Sequence, residues 1–212
     1  MRGAGVFRLP GRDWLLLCAL HGVASMLGWW ALESSVQGLV WRVEDWPSRW
    51  WTWWTTAWVH TNTPQLITNQ MALGLLTALA WRMRPDGWCA LAWFLAWPLA
   101  YLSVAWWPQV GWVSGLSGVL HAAVAVMAVH LLMQRLPVPQ GRRWGLLLAL
   151  ALAGKLALEQ AWSRPVVWDG ANNMSVVQAA WLGGALAGTG LGLLTAWCAR
   201  LLEHARLRAG VH

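Results

Sequence analysis

Ser117 is the residue whose type and neighbours most readily support chemistry. It lies between two glycines in the segment SGLSGVLH, residues 114–121. A serine hydroxyl attacks a carbonyl when a neighbouring base accepts its proton, and the backbone amides at a helix start can stabilise the oxyanion that forms. Small residues are also how membrane helices pack closely, and this segment alone favours packing over catalysis.

A second group of polar side chains lies in the segment HTNTPQLITN, residues 60–69. It places His60, Gln65 and Asn69 in and just before an apolar stretch. Polar groups are costly in a membrane helix unless they find partners, so they indicate a site. If both segments begin on the same side of a membrane, these side chains and Ser117 converge in one water-accessible pocket.

Six apolar stretches must position these residues. The composition, 58% hydrophobic and 11% charged, differs from the usual quarter of charged residues in a soluble domain. Each stretch is close to the roughly 20 residues that cross a hydrocarbon core. We therefore predict an all-α integral membrane protein, and we interpret the first stretch as a retained span because it lacks a small-residue cleavage site. The predicted spans are residues 14–32, 65–81, 88–106, 114–132, 144–162 and 176–201.

The arginines predict the orientation, because basic residues in short loops stay in the cytoplasm. With both termini inside, the tails 1–13 and 203–212 are cytoplasmic and the membrane domain is 14–202. Ser117 then faces the outer side, which in a bacterial inner membrane is the periplasm. The long loop 33–64 also lies outside, and its tryptophan-rich part, 46–58, predicts an interfacial structure. The arginines inside are then 2, 8, 12, 82, 84, 135, 142, 143, 200, 206 and 208, and those outside are 42, 49 and 164.

Several other classes of function are disfavoured. The net charge of +7 does not indicate nucleic-acid binding, because the basic residues flank apolar spans instead of gathering on a soluble face. Cys18, Cys89 and Cys198 lack the spacing of a disulfide framework or zinc site, so no metal or cofactor is expected. Most of the 22 tryptophans are interpreted as interfacial anchors or packing residues. Lys155 and Glu159, four apart on one helix face, predict a structural ion pair in preference to a catalytic role.

The motifs together resemble those of the rhomboid family of intramembrane serine proteases. The segment GLSG, residues 115–118, resembles the rhomboid GxSG motif. His60, Gln65 and Asn69 have the spacing of the second-span motif. In that motif a histidine is followed five residues later by a second histidine and four residues after that by an asparagine. Residues 180–188, AWLGGALAG, resemble the sixth-span pattern AHxxGxxxG. The resemblance covers nearly the whole six-helix core and implies a six-transmembrane-helix, rhomboid-like bundle.

The resemblance also implies roles for individual residues. Ser117 would be the nucleophile, and Asn69, Gln65 and the backbone at Gly115 would bind the oxyanion. His60 would brace the long outer loop. Three glycines would be structural residues near the site: Gly118, Gly184 and Gly188.

Within the family, three features look most like the rhombosortase branch. They are the segment at 115–121, the stretch HTNTP at 60–64, and the pair Lys155 and Glu159. That branch is associated with removing C-terminal sorting tails from exported proteins. The implied partners are therefore the lipid bilayer and a membrane-anchored or exported protein with such a tail.

Two residues depart from the family pattern. Trp181 stands where the histidine base of the Ser and His dyad is expected, and an indole cannot accept the serine proton. Gln65 replaces an oxyanion-binding histidine, although its amide can still donate a hydrogen bond. We hypothesise that His121, one helical turn after Ser117, serves as a relocated base with Trp181 as its stacking surface. Rhombosortases carry a histidine at this position beside their usual base, however, so His121 need not be a replacement.

The first functional hypothesis is an intramembrane serine endopeptidase that cuts near the transmembrane or sorting segment of its substrate. The alternative is a pseudoprotease that keeps the fold and the pocket and binds membrane clients without cutting them, and Trp181 favours it. A small transporter or channel is a third hypothesis. It is disfavoured because the polar residues collect near one face and no internal repeat is visible.

Overall fold

The computed structural model describes residues 11–31 and 36–210. The first ten residues of the predicted N-terminal tail, the start of the outer loop at Glu33 and the last two residues of the C-terminal tail lie outside the described residues. Six helices with sixteen or more residues make up most of the described chain. They are α1 (Arg12–Ala31), α3 (Thr63–Met83), α4 (Gly87–Leu102), α5 (Ser117–Leu132), α6 (Gly141–Leu158) and α7 (Gln178–Arg208).

Shorter elements connect these helices. A single turn of helix, α2, covers Thr52–Thr55. In the described part of the chain, four short strands form two antiparallel pairs, which were not predicted from the sequence. Strand β1 (Trp41–Arg42) pairs with β2 (Trp112–Val113), and β3 (Val167–Asp169) pairs with β4 (Met174–Val176). The first pair ties the long outer loop to the segment before α5, and the second forms a hairpin between α6 and α7.

Local capping defines where α3 and α4 begin. The Asn62 side chain accepts a hydrogen bond from the Gln65 backbone amide at 2.9 Å, and Pro64 lies in the first turn of α3. Asp86 caps α4 in the same way through the Cys89 amide, also at 2.9 Å. A side-chain oxygen at this position satisfies an amide that has no partner inside the helix, so both helix starts are fixed by their own sequence.

Helix α5 lies at the centre of the bundle and packs closely on α7. A Cβ at Gly118 would lie 2.9 Å from the Ala180 carbonyl oxygen, and one at Gly184 would overlap the Gly118 carbonyl. At Gly188 a Cβ would overlap the carbonyl of Ala122. Small residues let two helix backbones approach in this way. The three glycines therefore make a close seam between α5 and α7 that begins at Gly118, the residue after Ser117.

An aromatic cluster braces α1, α4 and the outer loop. The Trp14 and Trp93 rings lie 4.5 Å apart, and Trp97 lies 5.0 Å from Trp54 and 5.3 Å from Trp58. The indole of Trp58 donates to His21 Nδ1 at 3.2 Å. These tryptophans are packing residues, as the sequence analysis predicted for most of the tryptophans.

Among the described residues, two helical segments qualify as membrane spans by length and hydropathy alone: Gly87–Trp106 and Gln178–Arg208. Helix α5 is apolar but has 16 residues, and the count of six spans stays a prediction. The helix positions agree with the six apolar stretches within a few residues, except that α7 continues to Arg208 and so includes much of the predicted C-terminal tail.

Candidate active site

Ser117 is the first residue of α5, directly after a turn at Gly115. Gly115 has a φ of +95°, a backbone conformation that favours glycine. Its carbonyl accepts a hydrogen bond from the buried Tyr101 hydroxyl at 2.8 Å. The turn and this anchor on α4 fix the serine at the helix start. Sequence reasoning missed Tyr101, although it is the only tyrosine in the chain.

Trp181 contacts the serine directly. Its indole Nε1 donates a hydrogen bond to Ser117 Oγ at 2.8 Å. An indole N–H is a donor without acceptor capacity. The side chain at the dyad position therefore binds the serine oxygen but cannot remove its proton.

His121 lies beside both residues but bonds to a different atom. Its Nδ1 lies 2.7 Å from the backbone oxygen of Ser117, to which it must donate because a carbonyl only accepts. Its ring stacks on Trp181 with a centroid separation of 5.1 Å and an interplanar angle of 5°. In the described residues, Ser117 Oγ has no hydrogen bond to His121. Because Nδ1 carries a proton, the nitrogen that can act as a base in the neutral form of His121 is Nε2.

Gln65 and Asn69 on α3 lie against Gly115, on the side where another residue would carry its Cβ. A Cβ at Gly115 would lie 2.5 Å from Gln65 Nε2 and 3.5 Å from Asn69 Nδ2. The Gln65 Oε1 accepts from the backbone and hydroxyl of Thr61, at 2.8 and 3.1 Å, which directs Nε2 toward the serine loop. Asn69 is 5% exposed, and its Nδ2 has no hydrogen-bond partner among the described residues. The two amides thus converge at the predicted oxyanion position.

Lys155 and Glu159 form the predicted ion pair, at 3.6 Å. Lys155 Nζ also lies 3.9 Å from the centroid of the Trp181 ring, a cation–π contact. Glu159 accepts a further hydrogen bond from Gln178 Nε2 at 3.1 Å. The pair therefore connects α6 to the start of α7 and places a positive charge against the dyad position. The i,i+4 spacing predicted the pair but carried no information about its contact with Trp181.

A cavity of about 540 Å³ joins these residues. Ser117, His121, Trp181 and Lys155 line its polar end together with Gln65 and Asn69, and apolar side chains of α3, α5 and α6 line the remainder. The β3–β4 hairpin forms part of the wall. Asn62 Nδ2 ties that hairpin to the start of α3 through the Asn172 carbonyl at 2.9 Å. Hydrogen bonds from Asn172 lower the pKa of Asp169, which also lines the cavity.

His60 lies away from the cavity that contains Ser117. It is buried, and its Nδ1 contacts the Trp58 carbonyl oxygen at 3.2 Å. It lines a separate cleft with Val40 and Arg42 of the outer loop. Burial lowers the pKa of His60 to about 4. Within residues 11–31 and 36–210, no group of three His, Cys, Asp or Glu side chains could hold a metal ion.

The comparison with protein families agrees with this geometry. The family model for the Rhomboid domain matches residues 47–198. A comparison with curated proteins finds no match. The chain belongs to the rhomboid family, and it is a helical integral membrane protein with the site of a rhomboid protease or pseudoprotease.

Proposed function

We propose that this chain is a rhomboid pseudoprotease, which binds membrane clients in the cavity beside Ser117 without cleaving them. One observation carries the proposal: the residue at the dyad position donates a hydrogen bond to the serine oxygen at 2.8 Å. A nucleophilic serine needs a base that accepts its proton. Here the neighbouring indole N–H already occupies a lone pair of that oxygen and offers no acceptor.

The binding parts of the site remain in place. Gln65 and Asn69 keep amide donors near Ser117, and the cavity of about 540 Å³ has the size of a ligand site. The seam of α5 and α7 glycines holds the serine and Trp181 together. A pocket that is retained beside a serine without a base at the dyad position is consistent with a binding function.

The client, the branch and the arrangement in the membrane are part of the same proposal. We infer a membrane-anchored or exported protein with a C-terminal sorting tail as the client, because the segments at 60–64 and 115–121 resemble rhombosortases. The six apolar helices would each span the membrane, with both termini cytoplasmic and the cavity on the outer, periplasmic side of a bacterial inner membrane. The excess of cytoplasmic arginines supports this orientation.

A serine endopeptidase that uses His121 as its base is the second candidate. Its support is that His121 lines the cavity and keeps Nε2 as an acceptor while Nδ1 donates to the Ser117 carbonyl. The same bond opposes this function, because it holds the imidazole on the serine backbone and not on the hydroxyl. In this function the oxyanion would form at Gln65, Asn69 and the Ser117 amide.

A fluorophosphonate probe tests the proposal, because it labels an activated serine without knowledge of the substrate. We expect no labelling of the purified wild-type protein in detergent, beside a labelled active rhomboid. Trp181→His should give labelling, since an imidazole at this position can accept the proton from Ser117.

Two variants serve as controls for this experiment. Trp181→His combined with Ser117→Ala should lose all labelling, which assigns the reacting oxygen. Trp181→Phe should stay unlabelled, because it removes the indole donor without adding a base. Labelling of wild type that disappears in both Ser117→Ala and His121→Ala would instead establish the second candidate.

A further inference from the structure

Several hydrogen-bond donors converge at the polar end of the cavity. The Ser117 oxygen accepts the indole bond, so its own hydroxyl hydrogen remains available to a ligand. Asn69 is buried, with 5% of its surface exposed, and its Nδ2 has no hydrogen-bond partner in the part of the chain that the structure describes. Gln65 Nε2 makes one long bond, 3.3 Å, to the Ser114 carbonyl. A buried donor without a partner costs free energy, so a bound acceptor would be stabilised here.

The surrounding charge favours a negative ligand. Ser117 begins α5, whose first amides carry the partial positive charge of a helix N-terminus. Lys155 lies 3.9 Å from the Trp181 ring centroid, and its partner Glu159 is also bonded by Gln178. Among the residues that the structure describes, Asp169 is the one carboxylate that lines the cavity, and it accepts hydrogen bonds from the Ala171 amide at 3.0 Å and from Asn172 Nδ2 at 2.7 Å.

The rest of the cavity is apolar. Its walls come from α3, α5 and α6, and they extend from the serine along these helices. A ligand that fills this space has a polar group at one end and an apolar chain behind it. The apolar lining residues are Ala72, Leu75, Leu76, Leu79, Leu120, Val124, Leu148, Ala151 and Leu152.

We propose that the cavity binds the carboxylate of an apolar chain. The carboxylate oxygens would accept from Ser117 Oγ, Asn69 Nδ2 and Gln65 Nε2, and the chain would lie along the apolar wall. Lys155, which also pairs with Glu159 at 3.6 Å, places a positive charge in the wall of the same cavity. The inference rests on the proposed function, because it treats Ser117 as a binding group and not as a nucleophile. Such a carboxylate belongs either to a fatty acid or to the C-terminus of an apolar peptide.

The test uses the full chain in nanodiscs of neutral phosphatidylcholine, titrated with laurate and with dodecanol as its uncharged match. Wild type should bind laurate at least about tenfold more tightly than dodecanol, because hydrogen bonds to a charged group are the stronger ones. Asn69→Leu should lose about tenfold in laurate affinity and change dodecanol affinity much less, because a neutral hydroxyl accepts a weaker hydrogen bond than a carboxylate. Thr77→Val is the control, since Thr77 lies on α3 and does not line the cavity. It should bind both ligands as wild type does.

A second variant and a peptide comparison complete the test. Gln65→Met removes the other amide donor and should also lower the affinity for laurate more than the affinity for dodecanol. This variant keeps the proposal testable if Asn69→Leu does not fold. An apolar peptide with a free C-terminal carboxylate is compared with the same peptide as its amide. Competition by the acid peptide identifies a protein C-terminus as the source, whereas binding of laurate alone identifies a fatty acid.

Equal affinity for laurate and dodecanol, with no preference for the acid peptide, would overturn this inference. It would leave the pseudoprotease proposal standing, provided that the same preparation is unlabelled by fluorophosphonate. Labelling of wild type overturns the proposed function whatever the titration gives. The two failures are therefore distinguished by separate readouts on one sample.

Discussion

At Ser117, an indole in place of an imidazole reverses the direction of a hydrogen bond. An imidazole accepts from the serine hydroxyl, whereas Trp181 donates to its oxygen at 2.8 Å. The serine keeps its place on the helix, its turn and its oxyanion neighbours. In the proposed function, this direction of hydrogen bonding makes Ser117 a hydrogen-bonding group instead of a nucleophile.

The indole bond should also contribute to stability. We expect Trp181→Phe to lower the free energy of unfolding by about 1 kcal/mol or more, because one part-buried hydrogen bond is lost and a phenyl ring is smaller than the indole. Unfolding in mixed micelles with rising dodecyl sulfate measures the change. Trp162→Phe is the control, since Trp162 is 58% exposed and should change little. Equal losses in both variants would show that the bond adds nothing.

The residue types of the site could be predicted from the sequence, but their contacts could not. Motif spacing indicated Ser117, Asn69 and the anomaly at Trp181. The bonds from Trp181 to the serine and from Tyr101 to the Gly115 carbonyl join residues on different helices. Spacing along one helix carries no information about such contacts, since they depend on how the helices pack.

At the scale of elements, the seam between α5 and α7 positions the site. Gly184 lies against the Gly118 carbonyl, one residue beyond the serine. Because the backbones touch there, Trp181 is held within hydrogen-bond distance of Ser117. The separation of two helices, and not the flexibility of a loop, thus sets the geometry of the site.

Gly184→Ala should therefore separate the two helices. We expect a loss of about 2 kcal/mol in unfolding free energy, as for overpacking in a core. Gly190→Ala on the same helix is a matched control, because a Cβ there meets no atom within 4 Å. It should be neutral or stabilise the protein by up to about 1 kcal/mol, since alanine is the better helix former. A smaller loss at Gly184 than at Gly190 would contradict the seam.

The helices were more predictable than the strands. Long apolar stretches and capping residues such as Asn62 and Asp86 are local signals, and the helices lie near the predicted positions. The strand pair β1–β2 has two residues on each side and joins segments about 70 positions apart in the chain. Such short pairs depend on the packing of the outer loop and leave no periodic pattern to find.

At the scale of the whole molecule, the predicted outer loops are joined to one another. Strand β1 pairs with β2, the Gly115 amide donates to the Thr56 carbonyl at 3.0 Å, and Asn62 bonds to the β3–β4 hairpin. His60 is buried where the long loop meets α3. A conformational change in the long outer loop is therefore expected to shift Ser117, because the loop is hydrogen-bonded to the backbone just before this serine.

A lower pH should destabilise the folded protein through His60. Burial lowers the pKa of His60 in the folded state to about 4, below the value of 6.5 for a free histidine. The unfolded chain then binds more protons between these values. The free energy of unfolding therefore has its full value above about pH 6.5. It falls by on the order of 2 kcal/mol as the pH decreases toward 4.

Thermal unfolding in detergent between pH 7.5 and 4.5 measures this effect. The difference between wild type and His60→Gln isolates His60 from the other histidines, and it should shrink as the pH falls. His204→Gln, at the exposed end of α7, should follow the wild-type profile. A difference that stays constant with pH would exclude this role for His60.

The aromatic cluster has an optical consequence. Trp14 and Trp93, and Trp97 with Trp54 and Trp58, lie with ring centroids 4.5 to 5.3 Å apart. Indoles this close exchange excitation energy, so light absorbed by one ring is emitted by another. The intrinsic emission of the protein is therefore a collective property that follows the bracing of α1, α4 and the outer loop.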